Sequence, residues 1–224
     1  MSRSLLDVPA VRDYLGRRLL CSIKTEQKIL ALTFDDGPNP RHTPQLLSLL
    51  ASKGIHATFF AVGKRVRRFP EILKATHEAG HEVGNHGDHH VALSLLPPAL
   101  LRREITRCGE AIEQTIGEKP RFLRPPMGWI NGFVLKTVRE LGYEPVIGSI
   151  HPRDSRRPGR EAIIERVQSR VEPGAVIILH DGGWWLGVDR SQTLEAVDVL
   201  TDQCLEAGYR FLTLSALSAA GDRW

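Results

Sequence analysis

Residues 29–38 read Ile29-Leu30-Ala31-Leu32-Thr33-Phe34-Asp35-Asp36-Gly37-Pro38, an apolar run that ends in two adjacent carboxylates and a turn pair. Short apolar runs of this kind recur along the chain and alternate with longer segments of helical period, the pattern of repeated β-α units that feed a parallel sheet. Strands are expected at 29–34, 57–62, 81–84, 121–123, 144–147, 175–179 and 210–212, with helices between them at 43–52, 70–79, 98–116, 132–141, 160–171 and 191–207. Seven strands and six intervening helices fit a barrel or an open doubly wound sheet, and the count does not separate the two. The first 26 residues precede the first strand and read as a helical extension packed on the domain.

In parallel α/β architectures the C-terminal ends of the strands share one face and carry the site. The polar clusters of this chain fall there: Asp35 and Asp36 after the first strand, His86 to His90 after the third, Arg124 after the fourth, Asp154 after the fifth, His180 after the sixth. Residues remote in sequence are therefore expected to converge. Of the Asp pair, one carboxylate suits a metal and the other a proton; an Asx-capped turn is the plainer alternative. His86 and His90 have the i, i+4 spacing that puts two imidazoles on one face of a helical turn, and His86 with His89 is a competing register. Two His with one carboxylate, for which Asp36 is the natural choice, leave coordination positions open for water and substrate. His180 suits a general acid or a satisfied core histidine, and Arg124 suits a rigid carboxylate anchor or a structural salt bridge.

Composition narrows the class. A chain of 224 residues has the size of one domain, and 42% hydrophobic with 25% charged residues excludes disordered, collagen-like and coiled-coil classes. Cys21, Cys108 and Cys204 form no C-x-x-C pair, which argues against a disulfide scaffold or a zinc ribbon. No apolar stretch has the length of a membrane-spanning helix, and the N-terminus mixes Asp7, Arg12, Asp13, Arg17 and Arg18 among its leucines in place of a signal-peptide core. The expectation is a cytoplasmic chain unless a leader has been removed. The net charge of +4 is concentrated around Lys64 to Arg68 and Arg153 to Arg160. Without interleaved aromatic residues or a recognition motif, these clusters read as solvated loop charge, and no nucleic-acid partner is expected.

Taken together, Thr33-Phe34-Asp35-Asp36-Gly37-Pro38, Asn85-His86-Gly87-Asp88-His89-His90, Arg124-Pro125-Pro126-Met127-Gly128 and Leu179-His180, in that order, resemble the polysaccharide deacetylases with the NodB homology domain, carbohydrate esterase family 4. The stretches Asp189 to Thr193 and Gly208 to Leu214 are also similar to that family. The resemblance implies a distorted (β/α) barrel of about seven parallel strands over residues 27–217, flanked by the extension 1–26 and a tail 218–224. It implies Asp35 as general base, Asp36, His86 and His90 as ligands of one divalent metal, Arg124 as the tether of the base, and His180 as general acid tuned by Asp154. The backbone N–H of Met127 then matches the oxyanion donor. The metal implied is zinc, with cobalt, nickel or iron as alternatives, and the partner is an N-acetylated glycan or oligosaccharide of chitin or peptidoglycan type.

Several positions depart from the family pattern. Gly87 stands where Ser or Thr is usual, Met127 where Tyr is usual, His151 where Asp is common and Ser155 where a Trp lines the groove. Trp129, Trp184 and Trp185 are candidates to supply a sugar-stacking surface instead. These departures leave two other readings open: an O-acetyl esterase or small-amide hydrolase on the same scaffold, and a glycan-binding protein without turnover.

Overall fold

The computed structural model describes residues 19–223. Nine strands are assigned: β1 (Ile23–Lys24), β2 (Ile29–Gly37), β3 (Thr58–Ala61), β4 (Glu82–Asn85), β5 (Phe122–Leu123), β6 (Glu144–Pro145), β7 (Val176–His180), β8 (Arg210–Leu212) and β9 (Asp222–Arg223). The helices are α1 (His42–Ser52), α2 (Gly63–Arg68), α3 (Pro70–Glu78), α4 (Pro98–Ile116), α5 (Gly132–Glu140), α6 (Arg160–Gln168), α7 (Ser191–Glu206) and α8 (Leu214–Ala219). Prolines at the first turn of α3 and α4 and a left-handed Gly117 after α4 mark helix ends where local chemistry favours them.

The seven strands β2 to β8 form one sheet, ordered β6-β5-β4-β3-β2-β7 with β8 also on β2, and every pairing in it is parallel. The chain leaving β6 crosses the remaining gap, and Ile150 bridges to Ile177 of β7. The sheet is thus curled into the distorted barrel that the resemblance implied.

Strand alternation divides the core. Leu30, Leu32 and Phe34 of β2, with Ile177 and Leu179 of β7, pack outward against Leu46 and Leu50 of α1, Ile163 and Val167 of α6, and Val197 and Leu200 of α7. The opposite parity, Ile29 and Ala31 of β2 with Val176 of β7, joins Phe60, Phe122 and Val146 in the barrel interior. That parity leads upward from Ile29 through Thr33 to Asp35, whose partner in register is His180. A β-carbon at Gly84 would stand 2.5 Å from the Phe60 ring, so a residue without one is required where this ring fills the barrel.

Both ends of the expected domain need correction. Residues 1–18 lie outside the described residues, but 19–26 hold no helix: Leu20 takes its backbone partners from Pro145 and Ile147, Ile23 donates to Gly174, and β1 pairs antiparallel with β9. The reason is the gap between β6 and β7, which this segment bridges, Leu20 on Val146 at one side and Ser22 on Ala175 at the other. Leu19, Leu20, Cys21 and Ile23 are buried there. At the other end α8 plugs the barrel floor with Leu214 and Leu217 and runs past residue 217, so 218–223 continue the fold instead of trailing from it.

Truncating Leu20 to Ala removes a wholly buried side chain from this seam and is expected to cost about 2–5 kcal/mol, read as a lowered denaturant midpoint. Leu95→Ala, at a position 73% exposed, should stay within about 0.5 kcal/mol of wild type. Equal effects of the two would overturn the seam's role.

Candidate active site

In a regular strand two consecutive side chains face opposite sides, so Asp35 and Asp36 should diverge. The β2–β3 register shifts between Asp35 and Gly37, and Asp36 takes a left-handed backbone, φ 76°. This bulge re-aims Asp36 so that both carboxylates line one cleft at the C-terminal end of the barrel. The main-chain oxygen of Asp36 accepts a hydrogen bond from Arg65, which also donates to Gly183 and is buried. Arg65 is therefore part of the fold and not the solvated loop charge expected from its basic neighbours; burial disfavours its charge, and Asp36 and Asp181 counter this.

Asp35 is held by Arg124, whose Nη1 donates at 2.6 Å to Asp35 Oδ1 and at 2.8 Å to Thr33 Oγ1. The guanidinium carbon lies 4.1 Å over the Phe60 ring, so the tether rests on the barrel core. The Arg124 carbonyl accepts from His86 Nδ1 at 2.7 Å, which leaves His86 Nε2 with a free lone pair. That nitrogen lies 3.4 Å from Asp36 Oδ1, and His90 Nε2 lies 2.9 Å from the same oxygen. His89 points elsewhere, its Nδ1 hydrogen-bonded at 2.7 Å to Glu104, so the 86/90 register is the one the fold brings together.

The donor set fits a divalent cation. Asp36, His86 and His90 each offer one ligand atom, all within 4.8 Å of one another, and Asp36 Oδ1 is buried without a hydrogen-bond partner. Burial opposes the Asp36 charge, but the two imidazoles and the His180 charge outweigh it and hold this carboxyl well below its usual range. Among the described residues, two other donor groups also lie within such distances. In one, Asp154 is occupied by His180; in the other, Arg67 and Arg107 stand against Asp88.

Across the cleft, His180 Nδ1 lies 2.8 Å from Asp154 Oδ1, and its backbone N–H donates to Oδ2 at 2.9 Å. Thr193 donates to the same Oδ2 at 3.0 Å, and Arg190 donates to the carbonyls of Asp154 and Ser155. Burial pulls the imidazolium down, yet the charge and hydrogen bond of Asp154, with Asp36 and Asp35 beyond, lift His180 to about 9. Thr33, Arg65, Arg190 and Thr193 support the site without being among the residues the sequence singles out for it. Thr33 was accessible from strand parity; the others converge from separate elements.

The cleft measures about 410 Å³. Met127 lines it in a left-handed conformation, φ 62°, strain that a non-glycine residue rarely carries without support. His151, Ser155, Arg156 and Trp184 also reach it, and Trp184 stands edge-on to His90 at 5.6 Å between ring centres. Of the three tryptophans proposed for stacking, Trp129 and Trp185 are exposed but outside the lining; Trp185 lies along its own loop against Gly187.

A family profile described as "Polysaccharide deacetylase" matches residues 22–146, more than half of the chain. A peptidoglycan-N-acetylglucosamine deacetylase of Bacillus cereus is 41% identical over 197 residues, covering 87% of this chain and 90% of its own. A chitooligosaccharide deacetylase of a Bradyrhizobium species is 38% identical over 188 residues, covering 84% and 80%. Among solved structures, a peptidoglycan N-acetylglucosamine deacetylase in complex with a substituted benzamide superposes with a TM-score of 0.87 at 29% identity, covering 95% of this chain and 98% of that one.

Replacing Asp154 by Asn removes the charge that raises His180 and leaves burial in place, so its titration, followed by NMR, should fall from about 9 toward or below the ordinary value of roughly 6.5. Because the folded-state value is the higher one, the His180 contribution is full below pH about 6.5 and fades as pH rises through about 9, while the Asp154 contribution, from a carboxyl held below its usual range, is lost only in acid. An unchanged titration in Asp154→Asn would remove this account.

Proposed function

The chain belongs to the polysaccharide deacetylase family, and on that premise we propose that it is a metal-dependent hydrolase removing N-acetyl groups from the amino sugars of a chitin- or peptidoglycan-type glycan. The observation that carries the reading is the convergence of a carboxylate and an imidazole, each hydrogen-bonded to a charged partner, on one donor triad. Asp35, bound to Arg124, and His180, bound to Asp154, pair in register on adjacent strands and line one cleft with Asp36, His86 and His90.

In this reading Asp36, His86 and His90 hold the cation, zinc in the first instance. Bound there, it supplies Lewis-acid chemistry, polarising the acetyl carbonyl and acidifying water. Asp35 accepts the proton of the attacking water while Arg124 fixes its orientation. The backbone N–H of Met127 donates to the oxyanion of the tetrahedral intermediate. An amine leaves poorly until protonated, so His180, kept cationic by Asp154, gives its proton to the sugar nitrogen as the C–N bond breaks, releasing acetate and the free amine. The Trp184 face at the cleft mouth offers apolar surface to a sugar ring.

A second reading, an O-acetyl esterase or small-amide hydrolase, draws on His151 and Ser155, which replace the expected acidic and aromatic residues on the cleft wall. Relative rates on chitooligosaccharides, peptidoglycan fragments, acetylxylan and cyclic amides decide between the two.

Asp35→Asn and His180→Ala should each lower kcat for acetate release by about 10²–10⁴-fold, with metal content retained in Asp35→Asn. Chelation should abolish release and added zinc restore it. Metal-loaded wild type that releases acetate from no amino-sugar substrate would sink the proposal.

A further inference from the structure

The loop between the two histidines of the triad has a complete set of backbone partners, and one side chain supplies two of them. Gly87 N–H donates to Asn85 Oδ1 at 2.9 Å, and its carbonyl accepts from Gly63 at 3.0 Å. The Asp88 carbonyl accepts from the Lys64 amide at 2.9 Å, and the His89 carbonyl from Lys64 Nζ at 3.4 Å. The two remaining amides, Asp88 N–H and His89 N–H, both donate to Oε2 of Glu104 on α4, at 3.1 and 2.9 Å. Its Oε1 takes the His89 ring at 2.7 Å.

We propose that Glu104 is a positioning residue for the metal site, setting the His86–His90 spacing by clamping the turn between them. Three observations converge on this role. The turn is conformationally demanding: Gly87 lies at φ 76° and His90, a non-glycine ligand candidate, at φ 59°. Position 87 is glycine and offers no side-chain oxygen to the Asp88 and His89 amides, which Glu104 takes instead. A β-carbon at Gly87 would stand 4.0 Å from Glu104 Oε2, so the carboxylate already approaches the side of the turn such a side chain would occupy. Glu104 is only 14% exposed, which strengthens its hydrogen bonds relative to a solvated carboxylate. The neighbouring Asp88, fully buried and bonded to Arg67 at 2.6 Å, anchors the same turn to α2.

The inference rests on Asp36, His86 and His90 being the ligands. Its test is zinc affinity of the full chain by calorimetry, with the cobalt(II) absorption spectrum as a report on ligand geometry. Glu104→Ala should weaken zinc binding by about 10–100-fold and alter the cobalt spectrum, the size expected when a group supporting a ligand is lost. Glu104→Gln keeps an oxygen that can accept both amides and should recover most of the affinity. Glu104→Asp, which keeps the charge but withdraws the oxygens, should not, and it serves as the test if the Ala variant fails to fold. His89→Ala removes only the ring contact and should bind as wild type does. Zinc affinity in folded Glu104→Ala or Glu104→Asp within twofold of wild type would overturn the role of Glu104. Wild type that binds no zinc, or binds it unchanged after His86→Ala, would overturn the metal reading and this inference with it.

Discussion

A strand can offer only every second side chain to one face, and this site brings two consecutive carboxylates to the same cleft. The left-handed bulge at Asp36 meets that constraint, and much of the surrounding structure holds it in place. Arg65 binds the carbonyl of the bulged residue, and Gly37 follows where a β-carbon would strike Asp181. An unsupported left-handed non-glycine residue stores on the order of 1–3 kcal/mol, so the bulge persists because buried hydrogen bonds over-determine it.

Two adjacent buried carboxylates also create an electrostatic problem, since like charges in a poorly solvated site raise each other's proton affinity. The fold answers with separate partners. Arg124 takes Asp35, while the imidazoles of His86 and His90 face Asp36. Arg124 does more than neutralise: its guanidinium holds Asp35, and its carbonyl orients His86. One residue after β5 thus ties Asp35 to the donor triad. The mirror arrangement at Asp154 and His180 completes an array in which each of these groups faces a partner from another element.

Much of this was legible in the chain. The apolar runs located the sheet because parallel strands are covered on both faces and cannot hide as alternation, so 210–212 coincides with its strand and 29–34 and 175–179 differ from theirs by at most three terminal residues. Helix α4 starts at Pro98 and stops before Gly117, where the punctuation of the chain puts its ends. The short pieces are not legible: α2 and α8 carry too few residues to show a period, and Leu19 to Lys24 read as helix because their partners lie over a hundred residues away. Arg65 looked like one more exposed cation in a basic run, since burial of a charge depends on carbonyls that only folding brings near.

The sequence by itself determined which residue types stand at the ends of which strands, because hydrophobic period and turn chemistry are local properties. It therefore carried the α/β class, the set Asp35, Asp36, His86, His90, Arg124, Asp154 and His180, and the family resemblance. Tertiary structure alone decided that the sheet closes through residues 146–150 and is sealed by 19–23, that Asp36 turns to join Asp35, that His90 and not His89 faces it, and that Glu104 holds the turn between the histidines. Each of those outcomes depends on a hydrogen bond or a register between distant segments. No local pattern encodes the direction of a side chain that is set by a partner from elsewhere in the chain.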